Sequence, residues 1–148
     1  KIEEFLGTAE VCRQWADRVV VAKGLSSSQF RALGVLIENE SMKQNAIARA
    51  LSKTDGNVTV VIENLHKRGL VQRERNDSDR RVVLIRATEK GKGVYKELLP
   101  IYQERLNQAI ESMSAEDFNA MERLTHRLRA AMAREGKATA DLPVGERG

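Results

Sequence analysis

Short amides and hydroxyls gather in one stretch of this chain, at Thr54, Asn57, Thr59 and Asn64, and long cations follow at Lys67, Arg73, Arg75, Arg80 and Arg81. Amides and hydroxyls exchange hydrogen bonds with base edges in a major groove, and an exposed methyl such as that of Val60 can meet a thymine methyl. Gly56 beside Asn57 lets a backbone approach closely, and the N–H groups left over at a helix start suit a phosphate. Arg80 and Arg81 follow Asp77 and Asp79. A cation at a ribbon tip can enter a narrow minor groove, where the potential is most negative, and Asp79 is placed to orient a guanidinium rather than to touch the polyanion itself. Lys43 and Gln44 are expected near phosphates. Taken singly, each group is ordinary: a cap, exposed polar filler, a charged turn whose ion pair is worth little. Their concentration in one segment is what carries information.

Charge follows the same boundary. Residues 43–86 hold ten Lys or Arg against five Asp or Glu, a balance of +5; the whole chain is +4, so everything else is −1. A positive block of this kind suits a polyanion. The block has no Phe, Trp or Tyr. Recognition of single strands usually needs rings on which bases stack, so the composition favours duplex DNA.

The elements that must position these groups can be read from periodicity. Residues 2–22 form an amphipathic helix with Ile2, Phe5, Leu6, Ala9, Cys12, Ala16, Val19 and Val20 on one stripe, closed by Gly24. Ser26 and Gln29 make a capping box for a second helix ending near Asn39, with Leu25 and Phe30 placed as a staple. A short helix over 43–50, with Ala46, Ile47, Ala50 and Leu51 inward, leads through a tight turn at 51–53 to a fourth helix from about Thr54 to Lys67. Its inward positions are Val58, Val61, Ile62 and Leu65, and Gly69 stops it. The period then changes to that of strands, over 70–75 and 82–86, with turn residues 76–79 between. Thr88 caps a fifth helix that runs to about Glu111 and is expected to kink at Pro100. Ser114 caps a sixth, striped by Phe118, Met121, Leu124, Leu128 and Met132. Residues 136–148 read as a disordered tail. The fold class is mostly α with a small β-hairpin wing: a winged helix-turn-helix lobe over 25–87, flanked by dimerisation helices over 1–24 and 88–135.

Several classes are set aside. One cysteine, Cys12, allows no internal disulfide. Together with His66 and His126 it supplies no structural zinc set within one chain. No stretch approaches a membrane span, and a reducing cytoplasm is the expected location. No nucleophile–base pair, metal set or phosphate loop points to an enzyme, and no cofactor is expected.

Asp-Gly-Asn-Val-Thr at 55–59, Asn-Leu-His-Lys-Arg-Gly-Leu-Val at 64–71, Asp-Ser-Asp-Arg-Arg at 77–81 and Ala-Thr-Glu-Lys-Gly at 87–91 together resemble the MarR family of bacterial regulators, as does Leu-Ser-Ser-Ser-Gln at 25–29. The resemblance implies a homodimer whose first and last two helices pack against their symmetry mates. It also implies a repressor released from DNA by a small aromatic or phenolic anion. A two-fold axis places half-sites about one helical turn apart on a palindromic operator. For the effector, Cys12 and Trp15 are the candidates: Cys12 stands in the first helix as the sensing thiol does in the peroxide-responsive branch, and Trp15 echoes the urate-responsive branch. On the apolar stripe a buried, inert cysteine is the default, and Trp15 as a packing residue at the dimer interface is the plain alternative. A thiol-based repressor and a winged-helix protein-interaction module are the competing readings.

Overall fold

A computed structural model describes residues 1–51, 55–76, 79 and 81–140, without the side chains of Asp55 and of 134–140. Thr54, Asp77, Ser78 and Arg80 lie outside the described residues. The elements are α1 (Ile2–Ala22), α2 (Ser27–Glu38), β1 (Ser41–Met42), α3 (Gln44–Ala50), α4 (Asp55–Lys67), β2 (Val71–Arg75), β3 (Val83–Ala87), α5 (Glu89–Ile110) and α6 (Ala115–Ala140). They divide into two compact units, Lys1–Ala109 and the segment from Ile110 onward.

Local chemistry sets the boundaries. Ser26 Oγ accepts the Gln29 N–H at 3.2 Å while Gln29 Oε1 accepts the Ser26 N–H at 2.9 Å, a complete capping box. Gly24 and Gly69 end α1 and α4 with positive φ of 83° and 68°, a region that strains residues bearing a Cβ. Thr88 caps α5 by accepting the Gly91 N–H at 3.0 Å, and its hydroxyl donates to the Gly69 carbonyl at 2.7 Å. Ser114 caps α6 by accepting the Asp117 N–H at 3.1 Å. Helix α5 runs through Pro100 as one element.

Three antiparallel strands lie in the order β1-β3-β2. Arg75 faces Val83 and Val71 faces Ala87 across the wing, and Ser41 faces Arg86 on the other side of β3. The two-residue β1 has no counterpart in the sequence reading, because two residues show no alternation.

The core of the first unit is aliphatic, with Val20, Leu33, Leu36, Ile47, Val58, Ile62, Leu65, Leu70 and Ile85 at its centre. Of the four inward positions of α4, Val58, Ile62 and Leu65 are at 0% exposure and Val61 is partly buried against the same core. Truncating Val58, Ile62 or Leu65 leaves a cavity costing about 2–5 kcal/mol. Gly91 lets α5 start against the wing: a Cβ there would sit 2.1 Å from the Leu70 carbonyl oxygen.

Three expectations are corrected. Cys12 is exposed, not buried, because the N-terminal half of α1 overhangs this chain's core and its stripe residues Ile2, Phe5 and Leu6 are exposed too. Ala50 is exposed rather than inward; Ile47, Ala48 and Leu51 fill the α3 contact instead. The tail does not begin at 136: α6 continues to Ala140, because backbone hydrogen bonding does not need the apolar periodicity that lapses there. Residues 141–148 lie outside the described residues.

Candidate nucleic-acid interface and aromatic pocket

With Val58, Ile62 and Leu65 spent inward, the opposite arc of α4 carries Gly56, Asn57, Thr59, Val60, Glu63, Asn64 and Lys67. Gly56, Asn57, Thr59, Val60, Asn64 and Lys67 are exposed, and Val60 keeps 60% of its surface open although it is a large aliphatic residue. Among the described residues nothing lies within 4 Å of a Cβ built on Gly56. Lys43 occupies the N-cap position of α3 and is exposed. Gln44 Nε2 donates to Thr59 Oγ1 at 2.6 Å, tying the start of α3 to the outer arc of α4. That fixes the angle between the two helices of the helix-turn-helix on the exposed side.

The wing is braced against the same helix. Arg73 on β2 pairs with Glu63 on α4 at 3.1 Å, and Lys67 lies 3.9 Å from the same carboxylate. Arg86 pairs with Glu74 across the sheet at 3.3 Å. Arg73 is thus a strut rather than mere decoration of the sheet. Arg75, Asp79 and Arg81 are exposed at or near the wing tip. Asp79 Oδ1 accepts the backbone N–H of Arg81 at 3.0 Å, so the carboxylate shapes the turn through the main chain. Thr54 and Arg80, both expected at this surface, lie outside the described residues.

The residues at 64–71 and 87–91 meet behind this surface. Arg68 NH1 donates to the Gly24 carbonyl at 2.7 Å, and Lys90 Nζ donates to the Arg68 carbonyl at 2.8 Å. The Thr88 N–H donates to the Leu70 carbonyl at 3.0 Å. These contacts join the ends of α1 and α4 to the start of α5, and their role is to hold α4 in place.

On another side of the same unit, residues of α1, α2, α3 and α5 line an open pocket of about 300 Å³. Phe30 stacks on Tyr95 with centroids 4.9 Å apart and tilts against Tyr102 at 5.1 Å. Arg13 and Arg31 bring cations to its wall, and Glu38 one carboxylate. Burial first, and then the charge of Glu38, raises the Tyr95 phenol above its ordinary range; burial first, and then Asp17, does the same for Tyr102. Both phenols stay protonated and can donate. Ala50 and Leu51 at the end of α3 close the pocket, which explains the exposure of Ala50.

The sequence reading missed this site. Tyr95 and Tyr102, seven residues apart on one face of α5, and Arg13 with Asp17 at i, i+4, were the available signals. Trp15 lies outside the pocket lining: the Arg105 guanidinium sits 3.6 Å over its ring, a cation–π contact. Cys12 is absent from that lining as well.

A family model described as the MarR family matches residues 23–82, the span from the end of α1 to the wing. The transcriptional repressor MprA of Escherichia coli is 31% identical over 114 residues, covering 76% of this chain. The chain belongs to the MarR family. The alignment spans 65% of MprA, just under two thirds of its length. Two solved structures share the fold. One is a cysteine-to-serine mutant of Escherichia coli MarR complexed with operator DNA, at TM-score 0.77 and 17% identity, covering 85% of this chain and 91% of that one. The other is Bordetella bronchiseptica BpsR, whose DNA binding is regulated by 6-hydroxynicotinic acid, at TM-score 0.77 and 20% identity, covering 87% and 93%. At these identities the likeness speaks for the winged-helix fold alone.

Proposed function

We propose that this MarR-family chain is a sequence-specific regulator of transcription that binds duplex DNA as a homodimer and is released from its operator by a small aromatic anion. The observation that carries the DNA reading is the outer arc of α4: Asn57, Thr59, Val60 and Asn64, all exposed, on a helix braced from both sides by Gln44 and by Glu63–Arg73. Amides, a hydroxyl and a methyl at that density fit base edges in a major groove, while the exposed Lys43, Lys67, Arg75 and Arg81 offer cations for the backbone. A protein-interaction module is disfavoured by how few acidic groups this arc holds: among its described side chains Glu63 is the one carboxylate, and it is paired with two cations.

A second copy is supported by surfaces this chain leaves open. The N-terminal half of α1 exposes Ile2, Phe5 and Leu6, and α6 exposes Phe118, Leu124, Leu128 and Met132. Apolar stripes of that length call for a partner. Two lobes related by a two-fold axis then read half-sites about one turn apart.

The effector reading rests on the pocket of Phe30, Tyr95 and Tyr102 with Arg13 and Arg31. Rings bind an aromatic plane and guanidinium groups take its carboxylate. Ala50 and Leu51 connect the pocket to α3, whose Gln44 is bonded to Thr59 on the reading face. A ligand that shifts α3 therefore shifts α4. The redox alternative through Cys12 is separate from this pocket: the thiol is exposed, as an oxidisable one must be, but it lines none of the pocket.

The test is selection from random duplexes followed by footprinting on the recovered sites. A two-fold symmetric site with half-sites about 10 base pairs apart is expected, and its complex is expected to dissociate on adding 6-hydroxynicotinic or benzoic acid. Recovery of no preferred sequence would remove the regulator reading; a preferred site that ignores every aromatic acid would remove the effector reading alone.

A further inference from the structure

Arg13 stands between two clefts. It lines the aromatic pocket, and it also lines a second, shallower cleft of about 540 Å³ that runs along α1 to Ser27 and Ser28 at the start of α2. Glu10 and Asp17 line only the second cleft. Both carboxylates pull the guanidinium that way. Arg13 Nε donates to Glu10 Oε2 at 2.9 Å and NH2 donates to Glu10 Oε1, so Glu10 occupies one full edge of the fork. NH1 donates to Asp17 Oδ2 at 3.3 Å, which engages a nitrogen of the remaining edge. The hydrogen bonds to Glu10 are the main reason the Arg13 pKa is raised and, from the other side, that the Glu10 pKa is lowered.

Asp17 is the unusual member. It is 5% exposed, and among the described residues its Oδ1 has no hydrogen-bond partner. Among those residues Arg13 is also the only cation in an ion pair with it. A buried carboxylate in that position resists losing its counter-charge.

We infer that Asp17, with Glu10, is a built-in competitor for the effector's carboxylate: the two acids hold the Arg13 fork on the far side of the pocket wall, and an incoming aromatic acid gains Arg13 only by taking it from them. This deepens the effector reading above and rests on it. A carboxylate reaches its strongest geometry on arginine through two parallel N–H bonds. Glu10 and Asp17 leave no edge of the fork wholly unengaged. The acids therefore set the effector concentration at which the protein responds, without touching the effector. Asp17 is the more costly to strip, because it is buried and its other oxygen is already without a partner among the described residues.

The experiment is calorimetric titration of 6-hydroxynicotinic acid, benzoic acid and the uncharged 6-hydroxynicotinamide into the full chain and into Asp17→Asn, Glu10→Gln, Arg13→Gln and the double variant Arg13→Gln/Asp17→Asn. Wild type is expected to bind an acid, and Arg13→Gln to bind it more weakly. Asp17→Asn is expected to tighten the acid roughly three- to tenfold and to leave the amide unchanged. In the Arg13→Gln background the same Asp17 substitution is expected to do nothing, because there is no fork left to release. Glu10→Gln, at an exposed site, gives the same sign if Asp17→Asn fails to fold. Tightening that persists without Arg13 would show a general field effect and overturn the competitor role. An unchanged or weaker affinity in both acid variants would overturn it as well, with the effector reading left standing. Failure of wild type and of every variant to bind either acid would remove the effector reading and the competitor with it.

Discussion

Asn57 is the residue through which the DNA reading is most exposed to test. It lies on the first turn of α4, exposed, next to Gly56, which no described residue crowds. Replacing it with alanine is expected to cost roughly 1–3 kcal/mol of binding to the selected operator and to relax preference at one base position, with random duplexes bound as before; competition binding against single-base operator variants measures both. Gly91→Ala acts on a different quantity. Its Cβ would meet the Leu70 carbonyl at 2.1 Å, and main chain cannot swing aside as a flexible side chain can. A loss of about 1–3 kcal/mol or more in denaturant unfolding is expected. Residue types disclosed Asn57 because an amide on an outward helical position is visible in a linear pattern. They did not disclose why Gly91 is glycine, since the carbonyl it touches lies far back along the chain, at Leu70, and is brought there only by the sheet.

Helices with chemical punctuation were legible to within a residue or two. Ser26–Gln29, Gly24, Gly69, Thr88 and Ser114 are local signals, and each does locally what its chemistry requires. Thr88→Ala removes a cap and the bond to the Gly69 carbonyl together; a loss of about 1–2 kcal/mol in thermal or denaturant melts is expected. At the start of α6 the side-chain and backbone hydrogen bonds from Ser114 lower the Asp117 pKa. A carboxylate whose folded pKa is depressed gives stability above its unfolded pKa and loses it as pH falls through the folded one. The first turn of α6 is therefore expected to hold at neutral pH and to fray once the pH drops below the ordinary aspartate range, with Ser114→Ala fraying at higher pH; amide exchange in residues 115–118 reports it. What periodicity could not supply was depth. Cys12 and Ala16 share one stripe, yet the first is exposed and the second fully buried, because burial depends on where the neighbouring helices end. The strand β1 and the pocket of Arg13, Arg31, Tyr95 and Tyr102 were hidden for the same reason: their partners are distant in sequence and meet only in the packed unit.

Across the whole molecule, the positive excess of residues 43–86 falls on the segment that holds α3, α4 and the wing. Sequence composition located that block. The structure sorted its members into struts such as Arg73, a core-facing set, and exposed groups such as Lys43, Arg75 and Arg81. The exposed set is expected to act on phosphates: Arg81→Ala should weaken selected and random duplexes alike and flatten the dependence of affinity on salt. The central claim is that this surface binds duplex DNA by phosphate contacts plus base readout, and titration of the selected operator and a scrambled duplex across salt concentrations tests it most directly. The account predicts an affinity for the operator that falls by roughly a thousandfold or more between about 50 and 200 mM salt, with the scrambled duplex weaker by roughly a thousandfold or more at every salt concentration. A binding constant that barely moves with salt, or one that is equal for the two duplexes, would contradict it.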